Sequence, residues 1–333
     1  MRLTSHFKKL LGANFIVAFL GVATGVILAR NLSVEDRGEL AEILLWVGFG
    51  VTVGSESVRE FCLSFKSSDQ NINVSVLALA SAISFILPIA FLIDNNLSEY
   101  IGYALAFSGV NVVTILYLAK VQLQGEFARL SFYKMVVPLV NFVLLLATFF
   151  FDFAIWFALL ALLSANFALL CLVVVKEPRI KVSSGKQLGS YLNVLFSIVV
   201  ITAISQMDRM IMAKVSDAKD MAYFVIALTV IATPLTIIGQ TMSSYLVIDI
   251  KNRTESINRY IEVRLLALLM VLSAIAMTIF LVAEGLITLV FGEKYLPAAS
   301  YVVLCSCITL LNNTRSLYNY ACLLYTSPSP RDS

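Results

Sequence analysis

The chain has 333 residues and a formal net charge of +3. Hydrophobic residues make up 59% of it and charged residues 14%, with mean hydropathy +0.89, against roughly 45–50% apolar and about 25% charged in soluble domains. That balance excludes a soluble fold, a disordered chain, a disulfide scaffold and a nucleic-acid binder, and the single histidine, His6, leaves no buried imidazole for acid–base chemistry.

A membrane span needs about 20 mostly apolar residues. Ten stretches qualify, at 10–29, 40–58, 74–93, 101–122, 132–150, 153–175, 189–213, 221–247, 265–290 and 299–321. All are expected to be helices, because hydrocarbon offers no partner to an unpaired backbone group. The first apolar run is too long for a signal peptide, and no clear small-x-small cleavage site follows it before Arg30, so it reads as an uncleaved span.

Lysine and arginine set the expected orientation. With a cytoplasmic N-terminus, the inner side carries 16 of them: Arg2, Lys8, Lys9, Arg59, Lys66, Lys120, Arg129, Lys134, Lys176, Arg179, Lys181, Lys186, Lys251, Arg253, Arg259 and Arg264. The outer side carries five, Arg30, Arg37, Lys214, Lys219 and Lys294. This is a strong positive-inside bias.

A shift of 184 residues lays Ile27-Leu-Ala-Arg30 on Ile211-Met-Ala-Lys214, Asp36 on Asp220 and Gly38 on Ala222. The shift sets span 1 on span 7 and span 2 on span 8, so the repeat is parallel, about an axis along the membrane normal. The expected organisation is an N-terminal six-helix lobe at 1–175, a cytoplasmic linker at 176–188 and the first four helices of a second lobe at 189–321.

Gly21 and Gly25 form one GxxxG pattern and Gly50 and Gly54 another, which predicts close packing of spans 1 and 2. Pro88, Pro138 and Pro234 each remove a backbone donor inside a span, and Pro234 lies in Thr229-x3-Thr233-Pro234-x-Thr236, the best-placed hinge.

Charges inside spans are the best functional signal, since each is unfavourable by several kcal/mol unless it faces protein or water. Span 7 carries Gln206-Met-Asp208-Arg209, with Asp208 roughly 8 Å inside the outer end. Asp208 and Arg209 diverge by about 100° on the helix, so each needs its own partner. Glu56 and Arg59 share a face of span 2 and suit a local ion pair. Glu42, Lys120, Glu284 and Arg315 complete the set, and Asn14, Asn111, Asn141 and Asn166 add one amide each to four spans. Charges on spans 2, 7, 9 and 10 together point to a water-filled cavity.

The tail breaks composition at Cys322-Leu-Leu-Tyr-Thr-Ser-Pro-Ser-Pro-Arg-Asp332. It resembles, residue for residue, a translated transposase-type sequencing adapter. Residues 322–333 are therefore expected to be foreign to the protein, whose natural chain is expected to continue past Ala321.

Four features resemble the Wzx-type polysaccharide flippases of the multidrug/oligosaccharidyl-lipid/polysaccharide exporter superfamily. They are Gly25-Val-Ile-Leu-Ala-Arg30-Asn-Leu-Ser-Val-Glu-Asp-Arg-Gly38, Gln206-Met-Asp208-Arg-Met-Ile-Met, Phe291-Gly-Glu-Lys-Tyr295 followed by Ala298, and the six-plus-six organisation. Ala222 departs from the glycine usual in the second repeat's turn. The resemblance implies an all-α polytopic membrane protein with two pseudo-repeated, MATE-like six-helix lobes around a cavity. It implies translocation of undecaprenyl-pyrophosphate-linked oligosaccharide across the bacterial inner membrane by ion-coupled alternating access.

The expected substrate and cavity residues are Arg209, Asp208, Gln206, Glu56, Arg59 and Arg315, with Asp208 and Glu284 for ion coupling. No catalytic residue, metal or cofactor is expected. The expected partners are the lipid-linked oligosaccharide, membrane lipids and polysaccharide-assembly proteins, and no nucleic acid. A drug or metabolite exporter of the same superfamily is the first alternative, though three arginines favour an anionic ligand. A membrane polymerase or acyltransferase is the second, although the chain lacks a long outer loop and an intramembrane histidine. A structural scaffold is the third.

Overall fold

A computed structural model describes residues 2–64, 71–124, 126–147, 155–176, 181–183, 188–251 and 257–326. They form α1 Arg2–Asn31, α2 Val34–Ser64, α3 Val74–Asp94, α4 Ile101–Leu123, α5 Phe127–Leu146, α6 Ile155–Lys176, α7 Leu188–Val215, α8 Ala218–Lys251, α9 Ile257–Phe291 and α10 Val302–Thr326. Two short segments, β1 Asn71–Asn73 and β2 Lys181–Ser183, pair in parallel with Asn71 opposite Lys181. Among the described residues nine stretches are long and apolar enough to cross a membrane, and α1 adds the shorter Phe15–Asn31. The chain is an all-α, multi-pass membrane protein. The tail expected to be foreign starts inside α10, which runs unbroken to Thr326, and its remainder lies outside the described residues.

The chain divides into two compact units, residues 1–221 and 222–333. In the first, α2 is the central helix, packed against α3, α4 and α7. Its glycines explain the α3 contact. A Cβ on Gly50 would stand 2.3 Å from Pro88 Cδ, and one on Gly54 would stand 1.8 Å from Ser84 Oγ. The GxxxG pair of α2 therefore seats α3, not α1 as the sequence suggested. An added Cβ at Gly21 or Gly25 meets nothing within 4 Å, and α1 packs mainly on α5.

Pro88 sits where its ring meets Gly50, and it leaves the Ser84 carbonyl without its helical donor. Ser108 Oγ on α4 donates to that carbonyl at 2.8 Å, so the kink is satisfied across the helix pair. The end of α3 closes in a Schellman motif. Asn96 takes φ 59°, and Leu97 N–H donates to the Leu92 carbonyl at 2.8 Å.

The second unit contains the rest of α8 with α9 and α10. Gly292 adopts φ 104°, a conformation that side chains disfavour, and ends α9. The 3-10 stretch Glu293–Tyr301 follows, with Tyr295 and Ala298 fully buried. Tyr295 meets Tyr223 edge-on at 6.4 Å, which gives the Phe291–Ala298 motif a packing role.

Candidate functional site

Two turns of the first unit are built alike. Ser33 Oγ accepts the Asp36 N–H at 3.0 Å, and Asp217 Oδ1 accepts the Asp220 N–H at 2.9 Å. Each is an N-cap on the helix that follows. The flanking backbone bonds also correspond, Leu32 to Leu28 with Ser216 to Met212, and Arg37 to Ser33 with Met221 to Asp217. Every residue of the second set follows its counterpart by 184 positions, as 217 − 33 shows. The repeat read from the sequence is thus present bond for bond at these turns.

The turns also touch. A Cβ on Gly38 would stand 1.6 Å from the Ala218 carbonyl oxygen, so only glycine admits this approach. Lys219 Nζ lies 2.8 Å from Glu35 Oε1, and Lys214 Nζ lies 2.6 Å from Asp94 Oδ2. Lys214 also stands 6.0 Å over the Trp46 ring, whose Nε1–H donates to Glu42 Oε1 at 3.3 Å. Glu42, a charge within a span, is held by that indole.

At the far end of α2, Arg59 pairs with Glu56, and its Nε–H donates to Gln122 Oε1 of α4 at 3.1 Å. Glu60 lies 3.9 Å from the same guanidinium. Ser57 Oγ and Tyr191 Oη, both buried, share a hydrogen bond of 2.8 Å that ties α2 to α7.

Two contacts fix how α7 runs along α2: Tyr191 on Ser57 at one end, Lys214 over Trp46 at the other. Asp208 and Arg209 lie 17 and 18 residues from Tyr191, roughly 26 Å along the helix. They therefore sit near the turn end, whereas Glu56 and Arg59 occupy the far end. The expected cavity residues of α2 and α7 form two stations, not one cluster.

Around α7, Leu192, Phe196, Val200, Ile201, Ile204, Met207, Ile211 and Val215 are exposed and form one broad apolar face. Arg209 lies about 170° from its centre, Gln206 about 130° and Asp208 about 70°. Arg209 and Gln206 thus turn away from the apolar face, and Asp208 lies within its arc, toward one side. Gln206 Oε1 is buried and has no hydrogen-bond partner among the described residues.

Around α2 the pattern inverts. Among its described residues no large apolar side chain is exposed. Its partly open positions include Gly48, Thr52, Glu56 and Arg59, within about 80° of arc. A lipid-facing stripe would be large and apolar, so this small and polar one suits water. Glu284 is exposed on α9, and the side chain of Arg315 lies outside the described residues. Gln122, Tyr191 and Asp94 were not singled out from the sequence, whereas Lys214 was read there as the repeat counterpart of Arg30, and the same 184-residue shift brings Lys219 onto Glu35.

Comparison with known proteins gives the family. A family model described as polysaccharide biosynthesis protein matches residues 27–300. No curated protein matches the chain. Among solved structures, a MATE protein in complex with MaD3S is similar at TM-score 0.53 and 15% identity, covering 95% of this chain and 84% of that one. A MATE protein in the straight conformation is similar at TM-score 0.52 and 14% identity, with the same coverage. At such identities the likeness is one of fold. The chain belongs to the polysaccharide biosynthesis protein family and has a MATE-like helical fold.

Proposed function

We propose that the chain serves to carry an undecaprenyl-pyrophosphate-linked oligosaccharide across a bacterial inner membrane, with its N-terminus in the cytoplasm. The observation that carries this reading, beside family membership over residues 27–300, is the polar stripe Thr52–Glu56–Arg59 on a helix that exposes no large apolar group. A diphosphate is anionic, and the fork of an arginine matches it best.

Arg59 and Arg209 stand near opposite ends of the α2–α7 pair, which suits a headgroup handed from one station to the other. Arg315 is assigned to the same path. Asp208 and Glu284 are the carboxylates assigned to ion coupling. Lobes at 1–175 and 189–321 joined by a cytoplasmic linker at 176–188 would rock in alternating access, and polysaccharide-assembly proteins are the proposed partners.

Competition binding tests the substrate class. The purified chain in nanodiscs should bind a fluorescent lipid-linked oligosaccharide and release it to the unlabelled compound, not to a planar aromatic cation. Displacement by the cation alone would favour a drug exporter instead.

A further inference from the structure

One basic cluster of the first unit is not assigned to the transport path. Its floor is the seam of α4, α5 and α6, where Val121, Leu130, Tyr133, Leu169 and Val173 are buried together. At its mouth Lys176 ends α6 and stands 5.6 Å over the ring of Phe132 on α5. Phe132 is half exposed, and Lys176 and Arg129 are exposed. Arg129 lies one turn before Phe132 and about 60° around α5 from it, toward the buried Tyr133. In the orientation proposed above this is the cytoplasmic end of both helices.

Toward mid-membrane the exposed groups of both helices are apolar. Leu139 follows Phe132 by seven residues on α5, and Leu160, Phe167 and Val174 recur at the same interval on α6. Residues seven apart share one side of a helix, so each helix presents a lengthwise apolar stripe. Cations at the interface above two apolar stripes match a headgroup phosphate above acyl chains. The charge narrows the class of ligand. Arg129 Nη1 lies 2.7 Å from Glu126 Oε2, so among the described residues of the cluster two cations against one carboxylate leave +1. That balances one phosphodiester and falls short of a diphosphate. The ammonium of Lys176 has three donors, and the ring covers only one side of it. The connection that follows adds Glu177 against Arg179, Lys181 and Lys186, which keeps this end attractive to anions.

We infer that Lys176, Phe132 and Arg129 bind the headgroup of an anionic glycerophospholipid of the inner leaflet, whose chains lie along the α5 and α6 stripes. Lys176 is the point charge on the phosphate, Phe132 holds the ammonium in place, and Arg129 supplies a second donor beside it. The ligand is a resident lipid and not cargo, because this face is the apolar one of α5 and α6, whereas the polar stripe belongs to α2.

Native mass spectrometry of the full chain, released from nanodiscs of equal phosphatidylglycerol and phosphatidylcholine, tests this. The parent should retain one phosphatidylglycerol in preference to phosphatidylcholine. Lys176→Gln and Lys176→Met should each lower that preference about fivefold, while Lys176→Arg keeps it within about twofold. Lys181→Gln removes a charge from the neighbouring connection and should leave the preference unchanged. An equal loss in Lys181→Gln would mean diffuse attraction to the basic connection and would overturn the site. Parent-like preference in both Lys176→Gln and Lys176→Met would overturn it too, leaving Lys176 a snorkelling residue, as would the absence of any preference in the parent. Displacement of the phosphatidylglycerol by an equal amount of polyprenyl diphosphate would overturn the assignment to a phospholipid.

Discussion

Glu35 and Lys219 form an ion pair of 2.8 Å and are also each other's counterparts, since 219 − 35 is 184, the period of the internal repeat. The contact ties the α1–α2 turn to its sequence counterpart, the α7–α8 turn. Opposite charges at one repeat position let the two turns attract where identical ones would repel.

The glycine beside this pair should matter more than the charges. Glu35 and Lys219 are about half exposed or more, so Glu35→Gln should change stability by about 0–1 kcal/mol. Gly38→Ala places a carbon 1.6 Å from backbone oxygen, which cannot swing aside, and should destabilise by about 1–3 kcal/mol. Thermal unfolding in detergent measures both. An equal effect of the two variants would contradict the packing.

The α2–α3 seam gives a second ordering. Gly54→Ala should destabilise by about 1–3 kcal/mol, because its Cβ overlaps Ser84 Oγ. Ser84→Gly in the same chain removes that atom and should recover part of the loss. The Ala80 carbonyl, 2.7 Å from the same Cβ, keeps the recovery incomplete. Full additivity of the two losses would mean that the helices separate there.

Ser108→Ala should cost about 1–3 kcal/mol, more than an average serine truncation. It orphans the Ser84 carbonyl that Pro88 has already deprived of its helical donor. Pro88→Ala restores that donor, so the penalty of Ser108→Ala should shrink in its presence. A double-mutant cycle with no coupling would contradict this.

Much of the fold was legible because lipid leaves so few solutions: long apolar runs must be helices, and ten of them were readable. The turn motif around Arg30–Gly38 and its copy at Lys214–Ala222 were readable for a related reason, since Ile27, Ala29 and Asp36 recur at Ile211, Ala213 and Asp220, although Ala222 takes the place of Gly38. The partner of Gly50 and Gly54 was not, because a small residue says that something comes close without saying what. Ser57 and Tyr191 lie 134 residues apart with no periodic signal to join them. The Glu56–Arg59 pair was legible as an i,i+3 contact, whereas its tie to Gln122 depends on how α4 packs.

Span 7 separates two roles. Arg209→Ala should lose ligand affinity far more than Arg209→Lys, which keeps the charge but not the fork. Asp208→Asn should leave affinity for the lipid-linked oligosaccharide within about threefold, because the carboxylate is assigned to the coupling ion and not to the anion. Titration of each variant in nanodiscs measures this. Parent-like affinity in Arg209→Ala would remove it from the path.

The central claim, that this protein moves a lipid-linked oligosaccharide between leaflets, is tested most directly in proteoliposomes. A fluorescent polyprenyl-diphosphate oligosaccharide in the outer leaflet should become inaccessible to a membrane-impermeant quencher, faster with an ion gradient and at background rate in Arg59→Ala. Background rates for the parent protein under every gradient, with the same protein binding the ligand normally, would contradict the claim.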